Sequence, residues 1–155
     1  KLDDSDARLS GFANPRMAEF IDAEIEEGLK APGAVDVTAK YRNGPRKVTF
    51  DGGVFVRPTI VRCDAFTHPL ANREFLCPYA SVVPVPPAEM LRQIGYTLAC
   101  TAITKDPGFT GQLLAFPHIE RHSRRPIRLL SFRERSVHSI CILMVSPLHG
   151  TSRET

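Results

Sequence analysis

The chain has 155 residues, 43% hydrophobic and 24% charged, which allows one domain with its own core and is ordinary for a soluble globular protein. The longest purely apolar run late in the chain covers residues 140–145. This run is far shorter than the roughly 20 residues that a membrane-spanning helix needs. The formal net charge is +3, but after residue 120 seven arginines stand against two glutamates and no lysine.

The first predicted element is a helix that begins at Asn14-Pro15. An asparagine side chain accepts hydrogen bonds from free helix N–H groups, and proline fits the first helical position. Apolar residues follow at spacings of three and four and predict one buried stripe, which consists of Met17, Phe20, Ile21, Ile25 and Leu29. Pro32-Gly33 ends this helix.

Strands and short helices alternate along the next part of the chain. Weak alternation predicts a strand or hairpin over residues 34–50, around a turn at residues 43–45, and a short strand over residues 54–61. The later elements are two apolar strands and two helix starts, which lie at residues 80–85 and 98–104 and at Pro87 and Asp106. This alternation predicts an α/β fold with a mainly parallel sheet and flanking helices.

The four cysteines form no Cys-x-x-Cys pair and no disulfide framework, which favours a reduced, intracellular protein. Cys63, His68 and Cys77 are the only group that suggests metal ligands, and their spacing fits no standard zinc pattern. We therefore predict ordinary buried thiols and no metal site.

Four segments carry motifs in a recognisable order. Residues 52–60 contain a Gly-Gly pair, an aromatic residue and Pro-Thr, and residues 73–78 read Arg-Glu-Phe-Leu-Cys-Pro. Residues 80–83 read Ala-Ser-Val-Val, and residues 96–106 run from Tyr-Thr-Leu-Ala to Thr-Lys-Asp. Together they resemble the C-terminal part of the catalytic domain of the aldehyde dehydrogenase superfamily. The resemblance implies a fragment, with a partial catalytic domain over residues 12–121.

The resemblance assigns the cofactor contacts to the loop over residues 73–78. It implies that Glu74 accepts hydrogen bonds from both hydroxyls of the nicotinamide ribose of NAD or NADP. It also implies that Leu76, where the family has phenylalanine, packs beside the nicotinamide ring. A surface glutamate in an ordinary loop and a core leucine are the alternatives. Arg73 and Cys77 depart from the family, which has glutamate and glycine at these positions.

The function implied is the oxidation of an aldehyde to a carboxylic acid with NAD or NADP, through a thiohemiacetal on a cysteine. The family's cysteine nucleophile, glutamate base and oxyanion asparagine lie before the Gly-Gly strand, so we predict no catalytic residue in this chain. Cys77 is the alternative nucleophile, but no base is paired with it. The parent is expected to be a cytoplasmic homo-oligomer that binds an aldehyde and neither nucleic acid nor a membrane.

Residues 122–155 form an atypical basic tail in which none of the family's final elements is recognisable. Its abundance of arginine and serine is typical of a GC-rich gene read out of frame. A nucleic-acid-binding tail and a genuine extension are the alternatives. For the chain as a whole, the alternative function is a non-catalytic relic that binds a nucleotide or a partner.

Overall fold

The computed structural model describes residues 9–71, 73–95, 97–104, 106–122 and 140–144. The chain divides into two compact units, Lys1–Pro84 and Val85–Thr155. Each unit contains helices and strands around a hydrophobic cluster of its own. The predicted mixture of helices and strands is therefore confirmed.

The first helix, α1, spans Pro15–Lys30 and begins where the sequence predicts it. The side chain of Asn14 accepts a hydrogen bond from the N–H of Arg16 at 3.1 Å, which satisfies one of the free donors of the first turn. At the other end the N–H of Ala31 donates to the carbonyl of Gly28. The predicted cap and helix are confirmed.

The buried stripe of α1 is narrower than predicted. Ala18, Ile21 and Ile25 are buried, whereas Met17 and Phe20 are 43% and 56% exposed. A helix buries one side against its neighbours, and here Ile21 and Ile25, one turn apart, define that side. The predicted burial of Met17 and Phe20 is wrong because the stripe turns towards Ala18 in the first turn.

Five strands follow in the first unit: β1 (Ala34–Asp36), β2 (Lys47–Phe50), β3 (Gly53–Val56), β4 (Thr59–Cys63) and β5 (Tyr79–Val82). A short 3-10 helix (Ala39–Tyr41) lies between β1 and β2. Strands β2 and β3 form an antiparallel hairpin, and the other three strands form a sheet in the order β1-β4-β5. In that sheet β1 is antiparallel to β4, and β5 is parallel to β4.

The hairpin turn lies elsewhere than predicted. Asp51 and Gly52 join β2 to β3, and both have positive φ angles, 47° and 74°. Two residues of this conformation match the right-handed twist of the flanking strands. The expected turn at residues 43–45 is therefore not the hairpin turn. The expected single strand over residues 54–61 is two strands in different sheets, because Pro58 has no N–H to continue a ladder.

The core of the first unit lies on one face of the β1-β4-β5 sheet. Val61 and Cys63 on β4 are fully buried and pack with Leu70 and Ala71 from the segment that follows. Leu29 at the end of α1 packs against this cluster. The approach at Gly28 is so close that an added Cβ would lie 2.5 Å from the Cγ of Leu70. A side chain at that position would push α1 off the core.

The Arg46 ion network connects α1 to the strands, and it consists of Asp22, Glu26, Asp36, Arg42 and Arg46. The guanidinium of Arg46 contacts Asp22 Oδ1 at 2.8 Å, Glu26 Oε1 at 3.0 Å and Asp36 Oδ2 at 3.4 Å. Arg42 binds Asp36 Oδ2 at 2.5 Å. A buried charge is tolerated only when it is paired and hydrogen-bonded, and here every charge has a partner.

The second unit contains helices α2 (Pro87–Ile94) and α3 (Pro107–Ala115) and strands β6 (Thr97–Ile103), β7 (Ile119–His122) and β8 (Ile140–Met144). Both helices begin at the predicted prolines. The side chain of Asp106 caps α3 by accepting from the N–H groups of Gly108 and Phe109. Buried residues from the elements of this unit form its core: Ile94, Cys100, Leu113 and Ile119.

The second sheet has the order β7-β6-β8, with β7 parallel and β8 antiparallel to β6. Strand β8 belongs to the predicted basic tail and lies at an end of this sheet. The predicted boundary between residues 121 and 122 stays a prediction, as does the origin of the tail, most of which lies outside the described residues.

The sheets are mixed, which corrects the prediction of a mainly parallel sheet. Among the described strand pairs, the parallel ones are β4 with β5 and β6 with β7, and the other three are antiparallel. Parallel pairs need a long crossover connection, which the segment before β5 and helix α3 provide. In the described ranges no helix has the length and apolar character to cross a membrane.

Candidate functional site

The candidate site is built on the connection between the parallel strands β4 and β5. The connection leaves β4 at Asp64 and returns to β5 at Tyr79, whose backbone pairs with Thr59. The N–H of Thr59 donates to the carbonyl of Pro78 at 2.9 Å. The last residues of the connection therefore lie at the amino end of β5. Ligands of open α/β sheets more commonly bind at the carboxyl ends of the strands.

The first half of this connection is held by buried polar contacts. The Nδ1 atom of His68 accepts from the N–H of Leu70 at 3.1 Å and lies 3.7 Å from the Sγ of Cys63. The hydroxyl of Tyr79 donates to the carbonyl of Leu70 at 2.7 Å, and the hydroxyl of Ser81 donates to the carbonyl of Ala71 at 2.6 Å. These bonds fix the chain before residue 72 against the core.

Residues 73–78 form the site loop, which contains both half-buried and exposed side chains. Phe75 and Cys77 are half-buried, whereas Glu74, Leu76 and Pro78 are exposed. The N–H of Cys77 donates to the carbonyl of Phe75 at 2.7 Å, a bond that spans only two residues. This bond closes a tight three-residue turn with Leu76 at its centre.

Arg73 and Phe75 anchor the site loop. Arg73 forms an ion pair with Glu24 of α1, and its guanidinium lies 5.5 Å from the centre of the Phe75 ring. Phe75 in turn meets Tyr79 edge to face, with ring centres 4.9 Å apart. Arg73, which reverses the charge found in the resembled family, therefore has a partner on the neighbouring helix.

Both predicted cofactor contacts, Glu74 and Leu76, lie on the outward side of the site loop. Leu76 is 82% exposed, so the alternative of a core leucine is wrong. Glu74 is exposed, and its carboxylate has no hydrogen bond or ion pair within the described part of the chain. Exposure of Glu74 also agrees with the alternative of a surface glutamate in a loop. The structure places the two residues on one loop, where both side chains are exposed.

An open groove of about 330 Å³ lies beside Leu76. The site loop contributes Leu76, Cys77 and Pro78, and the opposite wall consists of Ser10, Gly11 and Phe12. Small-molecule sites begin at about 300 Å³, so the groove accommodates a group of the size of one aromatic ring and not a whole dinucleotide.

The wall formed by residues 10–12 has no counterpart among the sequence-based predictions. The N–H of Phe12 donates to the carbonyl of Val54 at 2.8 Å, which ties the start of the described chain to β3. No motif surrounds Phe12, and its neighbours across the groove lie far along the chain, in the site loop. A local pattern cannot report a contact over that separation.

Cys77 lines the groove, but its environment does not activate it. Burial raises the pKa of the Cys77 thiol to about 11, against a smaller opposing effect of Arg46. Thiols become nucleophiles when a nearby positive charge lowers their pKa, which is the opposite change. At neutral pH the Cys77 thiol is protonated. Cys63, Cys77 and Cys100 are all free thiols.

In the portion of the chain that the structure describes, no three or more histidine, cysteine, aspartate or glutamate side chains are grouped to hold a metal ion. Cys63 and His68 are in contact, and their contacts described above are those of a folded core. The structure therefore does not group Cys63, His68 and Cys77 as three possible ligands.

The amino-acid sequence matches no protein-family model, and a search of curated proteins gives no significant match. The relationship to aldehyde dehydrogenases consequently depends on the four motifs and stays a prediction.

Proposed function

We propose that this chain is part of an NAD(P)-dependent aldehyde dehydrogenase and that its site loop binds the nicotinamide end of the cofactor. One observation carries the proposal: Glu74 and Leu76, the two residues that the motif assigns to the cofactor, are both exposed on an anchored loop, and Leu76 lines a groove.

Glu74 supplies the polar contact. Its carboxylate carries two acceptor oxygens, and a ribose presents two neighbouring hydroxyl donors. The ion pair of Arg73 with Glu24 and the edge-to-face contact of Phe75 with Tyr79 hold the backbone on either side of Glu74. The loop backbone that carries Glu74 is therefore ordered before the sugar arrives, which lowers the entropic cost of binding.

Leu76 and the groove supply the apolar contact. A nicotinamide ring is flat and largely apolar on its faces, and Leu76 together with Phe12 and Pro78 offers apolar surface to such a ring. Leucine provides this contact without the flat face of the family's phenylalanine. The aromatic ring of Phe12 across the groove compensates for that loss.

The bound cofactor accepts a hydride when the parent enzyme oxidises an aldehyde to an acid. This chain contributes the orientation of the nicotinamide, and the resemblance assigns the nucleophilic cysteine to another segment of the parent. The protonated thiol of Cys77 agrees with this division, because a thiol with a pKa of about 11 is a poor nucleophile at neutral pH.

The proposal is tested with nicotinamide mononucleotide, which carries the nicotinamide and its ribose without the adenosine half. We expect saturable binding to the purified 155-residue chain, measured by saturation-transfer NMR, with signals on both the ring and the ribose protons. The Glu74→Gln substitution keeps the shape and removes the charge. It should weaken binding at least about tenfold, because one charged hydrogen bond contributes about 1.5–3 kcal/mol.

The matched control is Glu27→Gln on α1, which changes an exposed glutamate whose side chain is 73% accessible. It should bind the mononucleotide as the original chain does. Equal binding by the Glu74→Gln variant, or no saturable binding at all, contradicts the proposed contact. Adenosine monophosphate, which lacks the nicotinamide, should not compete.

The catalytic part of the proposal requires the intact parent. The 155-residue chain should form no NADH from an aldehyde and NAD⁺. In the parent, Glu74→Gln should slow the appearance of NADH in a single turnover by at least about tenfold. A parent that binds the mononucleotide but oxidises no aldehyde would support the non-catalytic alternative.

A further inference from the structure

The groove beside Leu76 has uncharged walls and is open to water. The described residues that line it carry no basic or acidic side chain: Ser10, Gly11, Phe12, Leu76, Cys77 and Pro78. Burial raises the pKa of the Cys77 thiol to about 11, so this side chain is also neutral at physiological pH. Leu76 is 82% exposed, so a ring that lies against it stays in contact with water on its other side. A charged ring therefore loses only part of its hydration in this groove, and the cost of binding it is small.

Phe12 is the aromatic residue of this groove. The groove of about 330 Å³ has room for about one ring, so a ring bound there lies next to both Phe12 and Leu76. The face of a phenylalanine ring carries a partial negative charge and attracts a cation within about 6 Å of its centre. An aliphatic wall would serve any apolar ring, whereas the aromatic wall adds a preference for a ring with a positive charge.

The charges of the site loop leave one carboxylate without a counter-charge. Arg73 pairs with Glu24 of α1, and its guanidinium lies 5.5 Å from the centre of the Phe75 ring. The carboxylate of Glu74 has no hydrogen bond or ion pair within the described residues. Two residues span at most about 7 Å of backbone, so Glu74 and Leu76 are separated by less than the Debye length of about 8 Å at physiological salt. A positive charge beside Leu76 is therefore attracted to the site loop.

The Arg46 ion network does not reverse this charge balance. Arg46 acts electrostatically on Cys77 and lowers the pKa of its thiol, although the effect of burial is larger. The guanidinium of Arg46 contacts all three carboxylates of the network, and Arg42 is the other arginine in it. Two arginines and three carboxylates give the network a net charge of one negative unit. The network therefore supplies no net positive charge that would repel a cation in the groove.

We propose that the groove selects a positively charged aromatic ring, the pyridinium of an oxidised nicotinamide, over the neutral ring of the reduced form. Phe12 supplies a cation–π contact, and Glu74 supplies the counter-charge. The inference rests on the proposed function, which assigns a nicotinamide to this groove, and it names the redox form that the site prefers. Such a site binds the oxidised cofactor and holds the reduced cofactor less tightly, which favours release of the product.

Two small probes separate the charge of the ring from its shape. The first, 1-methylnicotinamide, carries the pyridinium, and meta-toluamide has the same outline with carbon in place of the charged nitrogen. Neither probe contains a ribose, so the hydroxyl contacts proposed for Glu74 play no part. NMR titration of the full chain should give saturable binding of both probes, with a Kd about fivefold lower for 1-methylnicotinamide. This ratio corresponds to about 1 kcal/mol, the size of one exposed cation–π contact. Reduced nicotinamide mononucleotide should bind more weakly than the oxidised form by a similar factor.

Two substitutions test the two sources of selectivity. Phe12→Leu keeps an apolar wall without the aromatic ring and should reduce the preference for the cation to about twofold. Glu74→Gln removes the counter-charge and should weaken binding of 1-methylnicotinamide about twofold while leaving meta-toluamide unchanged. Phe20→Leu, at a phenylalanine that is 56% exposed on α1, is the matched control and should keep the fivefold ratio. Far-UV circular dichroism checks the folding of the variants, and the exposure of Glu74 keeps its variant informative if Phe12→Leu does not fold.

Equal affinities for the two probes overturn the inference, and they leave the proposed function standing if nicotinamide mononucleotide still binds through Glu74. The converse result is a fivefold ratio together with mononucleotide binding that falls no more than about twofold in Glu74→Gln. It refutes the ribose contact and supports the selectivity for charge. Absence of binding by both probes overturns the inference. A ratio that neither Phe12→Leu nor Glu74→Gln lowers overturns it as well.

Discussion

The Arg46 ion network and the site loop both contain charged groups, but the network pairs its charges within the protein, whereas the carboxylate of Glu74 in the loop is unpaired in the described residues. Arg46 is 4% exposed and contacts three carboxylates, whereas the carboxylate of Glu74 is exposed and has no partner in the described residues. Burial makes an unpaired charge unfavourable, so the charges inside the protein are paired. An exposed carboxylate is stabilised by water and needs no partner in the protein. The paired charges therefore contribute to the folded state, whereas the exposed Glu74 carboxylate is accessible to a ligand.

The ion network and the site loop also differ in the contacts that fix them in the structure. The network joins α1 to β1 through side chains, and its removal affects the folded state itself. The site loop is fixed by Arg73, Phe75 and Tyr79, while Glu74 and Leu76 contribute nothing to that fixation. Substitutions in the two regions should consequently separate into losses of stability and losses of affinity.

The largest expected effect is that of Arg46→Ala. It leaves the buried carboxylate of Asp36 with one cation fewer and removes the contact from β1 to α1. The free energy of unfolding, measured by urea titration with circular dichroism, should fall by about 3–5 kcal/mol. Arg62→Ala, at an exposed position of the same unit, should change it by no more than about 0.5 kcal/mol. Equal losses of stability for Arg46→Ala and Arg62→Ala would contradict the stabilising role of the Arg46 ion network.

The next effect compares two leucines of one connection. Leu70 is 2% exposed and packs against Gly28, whereas Leu76 is 82% exposed. Leu70→Ala should lower the free energy of unfolding by about 2–5 kcal/mol through lost burial and a cavity. Leu76→Ala should alter it by about 0.5 kcal/mol at most. If Leu76→Ala also destabilises the chain strongly, the site loop is part of the core, and the proposed accessible contact is wrong.

The smallest expected effect concerns acid stability. Burial by itself would raise the pKa of Asp36, but hydrogen bonds from Thr38 and Arg42 outweigh it and hold the pKa below its ordinary value. A lowered folded-state pKa gives stability that is present above the unfolded pKa of about 3.9 and is lost as the pH falls through the folded value.

Asp36→Asn removes this titrating group. The variant should be less stable at pH 7, and its stability should fall less steeply than that of the original chain below about pH 4, by at most about 1.4 kcal/mol per pH unit. Thermal unfolding at closely spaced pH values between neutrality and strong acid measures the two slopes. Identical slopes would show that Asp36 titrates alike in the folded and unfolded chains.

Local signals predict the elements that depend on local chemistry. Asn14 and Asp106 are predicted helix starts, and both accept backbone N–H groups in the structure. Pro87 is predicted to begin a helix, and α2 begins there. The apolar strands before and after this helix lie within a few residues of their predicted positions. Caps and prolines act within one turn, so the sequence contains all the information they need.

Elements that depend on distant neighbours are predicted less well. Met17 and Phe20 satisfy helical spacing, but burial is decided by the surface that α1 meets. The hairpin uses Asp51 and Gly52 in place of the earlier Gly44, since only one of these turns has strands on both sides that can pair. Strand direction likewise depends on connections, and three of the five described pairs are antiparallel.

For the candidate site, the amino-acid sequence places a glutamate and a leucine two positions apart in the Arg-Glu-Phe-Leu-Cys-Pro segment. The folded chain shows that both are exposed, that Arg73 pairs with Glu24, and that Phe12 lines the same groove as Leu76. The physical reason is the separation along the chain over which each effect acts. Backbone preferences and caps act over a few residues, whereas burial, ion pairing and grooves are created by segments that meet only after the chain has folded.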